Sequence, residues 1–152
     1  MRRRLTTLLV TMLLAAGATL FGGSPAYAIT CSGSNCSGKN PDSTGCSTAS
    51  AYTPATANAG YGDWNLELRR SSQCNSYWAR VKGYHHVGYV GATISVDRRY
   101  NYNGYMTYQS VHVDHGQALA YTNMWGSLAG YSVRACLTFD QGLGTVCTGW
   151  YS

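Results

Sequence analysis

The stretch "SVHVDHG", Ser110–Gly116, puts His112 and Asp114 two residues apart, with His115 at the turn that follows. On a strand, residues i and i+2 share a face. An imidazole titrates near neutral pH and a neighbouring carboxylate can orient it, so this pair could move protons or supply metal ligands. Glu67 and Arg80 lie in a second dense stretch, "NLELRRSSQCNSYWARV", Asn65–Val81. A histidine joined by Glu67 and Arg80 would make the kind of set a small secreted nuclease uses. His85 and His86 lie between these two stretches. No zinc-helix motif, nucleophile elbow or other fixed-spacing signature accompanies them. His112, Asp114, His115, Glu67 and Arg80 therefore become catalytic only if the fold brings them into one cleft. The expectation is a chain without catalysis, metal or other cofactor.

Aromatic residues offer a different chemistry. Residues 98–108, "RRYNYNGYMTY", carry Tyr100, Tyr102, Tyr105 and Tyr108 among asparagines. Tyr and Trp combine a flat apolar face with a polar edge at low conformational-entropy cost, which suits sugars and protein surfaces. Tyrosine is also a common strand residue that covers half-buried sheet while its hydroxyl stays wet. Tyr100, Tyr102, Tyr105 and Trp125 are the ligand-binding candidates, provided that they form an exposed row.

The segment that precedes these residues bears on compartment. Arg2, Arg3 and Arg4 are followed by "LTTLLVTMLLAAGATLFGG" and then by Ala26-Tyr27-Ala28. A positive start, an apolar run and a small-x-small site form a secretory signal peptide, residues 1–28, with cleavage expected after Ala28. The run is broken by Thr and Gly and followed by Ser24-Pro25, so no retained membrane anchor is expected. The arginines lack the rest of a twin-arginine motif, which favours the general secretory route.

Cleavage leaves 124 of the 152 residues, residues 29–152, one domain's worth. It also removes three of the eleven Lys+Arg, leaving eight against six Asp+Glu, a net +2 in place of +5. The overall basicity belongs largely to the leader, so no nucleic-acid partner is expected.

Six cysteines, Cys31, Cys36, Cys46, Cys74, Cys136 and Cys147, all follow the leader. An even number in an exported chain predicts three disulfides. A zinc site is disfavoured because there is no CxxC pair and exported thiols are oxidised before they meet metal. Residues 29–60 are rich in Ser, Gly, Asn, Pro, Thr and Ala, with turn formers at Asn40-Pro41-Asp42 and Gly45. Such a segment cannot close a core, and it predicts a loop-rich lobe held by its cysteines. Within it only a short helical turn near Ala51–Asn58 is expected. A calcium loop around Asn40 and Asp42 has too few carboxylates.

Residues 61–152 change to period two. Leu66 and Leu68 alternate with Glu67 and Arg69, and Val90, Ala92, Ile94 and Val96 alternate with Gly91, Thr93, Ser95 and Asp97. About seven or eight short antiparallel strands follow, in an all-β sandwich or barrel. Folding Asn65–Val81 back around Ser71–Ser76 sets Leu66 opposite Val81 and Leu68 opposite Ala79. The same register sets Glu67 opposite Arg80 as an ion pair, and Arg69 opposite Trp78 as a cation–aromatic pair, each worth about 0.2–1 kcal/mol. Cys74 then sits in the connecting loop, placed to reach the lobe. "CLTFDQGLGTVC", Cys136–Cys147, reads as a hairpin tipped by Gln141-Gly142, with Phe139 opposite Gly144 and Thr138 opposite Thr145. Its end sets Cys136 opposite Cys147, within bridging distance. Cys31, Cys36, Cys46 and Cys74 must then pair among themselves in one of three ways.

The order "CSGSNCSGKNPDSTGC" and then "LELRRSSQCNSYWARV" resembles the YjfA-like family of exported or extracytoplasmic bacterial domains. That family's pattern is two close cysteines, Gly-Lys-x-Pro and a third Cys, then Leu-Arg-x-Ser-x-x-Cys and Trp-Ala-Arg-Val. The match runs from about Cys31 to Val81. It falls on Leu68, Arg69, Ser71, Cys74, Trp78, Ala79, Arg80 and Val81. The family is a domain of unknown function, so the resemblance implies a bacterial exported domain and no activity. Cys147 and the tyrosine-rich middle lie outside its pattern. Together these readings point to a secreted, disulfide-stabilised, non-catalytic domain that binds cell-envelope polysaccharide or a surface protein. The alternatives are a small secreted hydrolase and an extracellular structural or inhibitory protein.

Overall fold

The computed structural model describes residues 28–48, 50–59, 64–83, 91–114 and 116–152. Residues 1–27 of the expected leader, His85, His86, Val90 and His115 lie outside the described residues. Among the described residues nine strands form two antiparallel sheets: β1 (Ala51–Asn58), β2 (Asn65–Ser71), β3 (Ser76–Lys82), β4 (Ala92–Tyr100), β5 (Met106–Val113), β6 (Leu119–Tyr121), β7 (Trp125–Gly126), β8 (Tyr131–Phe139) and β9 (Thr145–Cys147). The first sheet has the order β1-β2-β3-β6, with β7 also paired to β3, and the second has the order β5-β4-β8-β9.

The two sheets pack as a sandwich because their strands alternate apolar and polar residues. Leu66, Leu68, Ala79 and Val81 of the first sheet meet Ala92, Ile94, Val96, Val133, Ala135 and Leu137 of the second, all essentially sequestered from solvent. Trp64 closes one end of this core with its ring edge-on to Phe139, 6.1 Å between centroids. The β2–β3 hairpin has the expected register, with Leu66↔Val81, Glu67↔Arg80, Leu68↔Ala79 and Arg69↔Trp78. The last hairpin likewise pairs Cys136↔Cys147 and Thr138↔Thr145. The Phe139 amide donates to the Gly144 carbonyl at 3.0 Å, and Gln141 takes φ 61° in the turn.

One of the predicted side-chain pairs does not form. Arg69 stands beside Trp78 in register, yet its guanidinium turns to β1, donating to Thr53 Oγ1 at 2.5 Å and the Ala51 carbonyl at 3.2 Å. Trp78 is instead buried among sulfurs. Ala51–Asn58 also differs from the helical turn read in the sequence: it is a strand, paired along β2 with a bulge between Tyr52 and Ala55. Its Ala/Thr/Pro composition gives no strong strand signal, and its structure comes from pairing against the edge that β2 offers.

The loop-rich segment 31–48 lies on the outward face of the first sheet. Cys31–Cys36 and Cys46–Cys74 are the pairings adopted, and Cys136–Cys147 is the third. Around the first two bridges, Trp78 and Met124 complete a second buried cluster. Backbone bonds fasten the lobe: the Gly33 amide to Cys74 O at 2.8 Å, the Gly38 amide to Met124 O at 2.9 Å and the Met124 amide to Lys39 O at 2.9 Å. Asn40 Oδ1 accepts from the amides of Asp42 and Ser43, so the Asn-Pro-Asp stretch is a turn. Asp42 reaches Tyr121 on β6, and this hydrogen bond, with burial, raises the Tyr121 hydroxyl pKa above its ordinary value. Lobe and sheet meet tightly at Gly126, where a Cβ would fall 1.7 Å from the Gly33 carbonyl oxygen.

Peptide mapping of the oxidised chain is expected to recover 31–36, 46–74 and 136–147 linkages and no others. Gly126→Ala should lower stability by about 1–3 kcal/mol, the usual effect of forcing an extra methyl into a packed contact. Chemical denaturation of the variant checks this.

Candidate functional site

Because the lobe covers much of the first sheet's outward face, the outward face of the second sheet is the broad one left open. It is built by the residues that alternate with the core. On β4 these are Thr93, Ser95, Asp97 and Arg99. Their cross-strand partners are His112, Ser110, Tyr108 and Met106 on β5, and Thr138, Cys136, Arg134 and Ser132 on β8. Thr145 and Cys147 extend the face on β9. A shallow depression of about 450 Å³ runs over it, floored by hydroxyls and the Cys136–Cys147 bridge and edged by Tyr108 and Arg134. Hydroxyl-bearing side chains at successive i, i+2 positions make a floor of donors and acceptors, and Tyr108 adds a ring that is 69% exposed.

The two ends of this face differ in charge. At one end His112 Nε2 lies 3.6 Å from Asp114 Oδ1 and 3.9 Å from Asp140 Oδ2, contacts longer than hydrogen bonds between well-exposed groups. At the other end Trp150, on the chain after β9, has the guanidinium of Arg99 4.3 Å from its ring centre and that of Arg134 at 4.5 Å. Arg134 Nε donates to Asp97 Oδ2 at 3.1 Å, and Ser95 Oγ donates to Asp97 Oδ1 at 2.8 Å. Asp97 is nearly buried and thus anchors one cation and one hydroxyl of the floor.

The nuclease-like set does not assemble. Glu67 and Arg80 point outward from the first sheet, whereas His112 points outward from the second, so the sandwich core lies between them. Glu67 is instead the centre of a structural cluster. Arg80 Nε donates to its Oε2 at 2.7 Å, Lys82 Nζ lies 2.7 Å from Oε1, and Arg69 is 3.9 Å away. Burial alone would raise the Glu67 carboxyl pKa. Hydrogen bonds from Lys82 and Arg80, and their charges, outweigh burial and hold it below the ordinary 4.5.

The tyrosine candidates divide. Tyr102 and Tyr105 are well exposed at the β4–β5 turn, and Tyr108 follows on the open face. Tyr100 is at the margin of exposure and packs on Tyr131, 5.1 Å between centroids. Trp125 is not part of an exposed row: it packs against the core, its indole N–H donates to the Val96 carbonyl at 3.0 Å, and Arg98 covers its ring at 3.9 Å. Trp150, Arg99, Arg134 and Asp97 went unselected in the sequence. The alternation of β4 held the signal, since Thr93, Ser95, Asp97 and Arg99 form one wholly polar face.

No protein-family model matches the chain, and no curated protein or solved structure matches it. The YjfA-like resemblance thus stands on its residues alone, and their places in the fold are structural. Leu68, Ala79 and Val81 lie in the core, Trp78 and Cys74 in the sulfur cluster, and Arg80 on Glu67. Ser71 Oγ accepts the Cys74 amide at 3.2 Å, fixing the turn that presents the cysteine. Among the described residues no helix is long and apolar enough to cross a membrane.

The depressed Glu67 pKa fixes the sign of a pH effect. The cluster's contribution is fully present above the unfolded carboxyl pKa near 4.5 and is lost as pH falls through the lower folded value. Urea unfolding of wild type and Glu67→Gln should therefore differ most at neutral pH, with the wild type more stable. The gap should close as pH drops below about 4.

Proposed function

We propose that this is an exported, non-catalytic domain that recognises cell-envelope polysaccharide on the outward face of its second sheet. The observation that carries the reading is a long hydroxyl-floored face, edged by an exposed Tyr108, while the corresponding face of the first sheet is taken up by the lobe around Trp78 and by the Glu67 charge cluster. Sugar rings present hydroxyls at their edges and weakly apolar C–H faces. A floor of Ser and Thr beside an aromatic ring matches both. Three disulfides suit an oxidising compartment, and the leader-like start of the chain supports export there. The separation of Glu67 and Arg80 from His112 removes the main support for a hydrolase.

Pull-down of the oxidised mature protein on peptidoglycan, chitin and cellulose tests this reading. Retention by at least one polymer is expected, with Tyr108→Ala weakening it about tenfold, roughly 1.4 kcal/mol. A parallel degradation assay supplies the contrary result. No retention, together with cleavage of RNA or polysaccharide that His112→Ala abolishes, would replace the binding module with a hydrolase.

A further inference from the structure

We infer that the polysaccharide held on this face is acidic, with carboxylates spaced along the chain, and this inference rests on the polysaccharide reading above. Two guanidiniums lie against one indole at the Trp150 end, at 4.3 and 4.5 Å. Stacking orders both forks before any ligand arrives, so little side-chain entropy remains to be lost when an anion is bound. Arg134 spends its Nε on Asp97, leaving its terminal nitrogens without a hydrogen-bond partner among the described residues. The Arg99 side chain has neither a carboxylate partner nor a hydrogen bond among the described residues, only the indole.

The contrast with the other face sharpens the point. There Arg80 and Lys82 close on Glu67 within hydrogen-bonding range. Arg98, which also lacks a carboxylate, is covered by Trp125 and Tyr131 at 3.9 and 4.4 Å and turns away from the open face. Arg99 and Arg134 are thus the cations whose charge faces the open sheet with one acid, Asp97, between them. Guanidinium forks pair in bidentate fashion with planar carboxylates, the group that a uronate-type sugar presents.

The opposite end of the face sets a limit on charge density. Asp114 and Asp140 stand there around His112, about 20 Å from Arg99 by the rise of six strand residues along β4 from Thr93. An unbroken polyanion laid along the face would meet like charge at that end. A chain in which an acidic sugar alternates with a neutral one can seat its carboxylate on Arg99 and Arg134 and its neutral ring over the hydroxyl floor.

Affinity electrophoresis of the oxidised mature protein in gels holding hyaluronate, hydroxyethyl cellulose or dextran sulfate tests this. Hyaluronate supplies alternating carboxylates, the cellulose ether none, and dextran sulfate a dense run of sulfates. Hyaluronate should retard the wild type about tenfold more than the neutral polymer, and Arg99→Gln should remove that preference. Arg99→Lys tests the fork: it keeps the charge and should recover only part of the preference. Thermal melting of the variants confirms that they fold. Equal retardation by hyaluronate and the neutral polymer overturns the inference and leaves the polysaccharide reading in place. Retardation by none of the three, joined with failure on the insoluble polymers, overturns both. Retardation by dextran sulfate without hyaluronate marks simple ion exchange and also overturns the inference.

Discussion

The Cys46–Cys74 bridge ties a segment with almost no large apolar residues to the turn between the two strands at the heart of the first sheet. A loop of this size, 28 residues in sequence separation, restricts the unfolded chain by about 3 kcal/mol or somewhat more. The greater consequence is spatial. The bridge brings Cys31 and Cys36 beside Met124 and over Trp78, so an indole on the outward face of a sheet becomes buried. With that part of the first sheet covered, the broad open face is the second sheet's, whose outward residues include hydroxyls, an ion pair, Tyr108 and a disulfide.

Charge is used in two ways on the two faces. Glu67 gathers Arg80, Lys82 and Arg69 on the side shared with the lobe, and three cations around one nearly buried carboxylate leave little for a ligand to claim. On the open side a single buried acid, Asp97, holds Arg134, while Arg99 rests on Trp150. The same residue types thus serve cohesion on one face and an unsatisfied positive edge on the other. The difference comes from what lies opposite in register: Arg80 faces Glu67 across its ladder, whereas Arg99 faces Met106 and Ser132.

Both hairpin registers were legible in the sequence because several constraints agreed at once. In Asn65–Val81 the apolar alternation, the Glu67–Arg80 charge pair and the placement of Cys74 in the turn all demand one alignment. In Cys136–Cys147 the turn residues and the spacing of the cysteines do the same. What escaped depended on neighbours that alternation cannot show. Arg69 left Trp78 because β1 offered Thr53 and the Ala51 carbonyl, and β1 itself was hidden in an Ala/Thr-rich segment. Trp125 read as a surface ring because a tryptophan beside turn residues carries no mark of the carbonyl its N–H will find inside the core. Trp150 went unread as a site residue because its role depends on two arginines from different strands. The polar face of β4 was visible as a pattern, but its openness was not, since that follows from where the lobe docks.

The most direct test of the account is to observe which face a sugar polymer touches. Amide and indole resonances of the isotope-labelled oxidised protein can be followed while short hyaluronate and cello-oligosaccharides are added in separate titrations. The account predicts that perturbations gather on Thr93, Ser95, Tyr108, Ser110, Thr138 and the Trp150 indole, with Glu67, Arg80 and Lys82 unmoved. Perturbations confined to the first sheet's outward face or the lobe, or none in either titration, would contradict it.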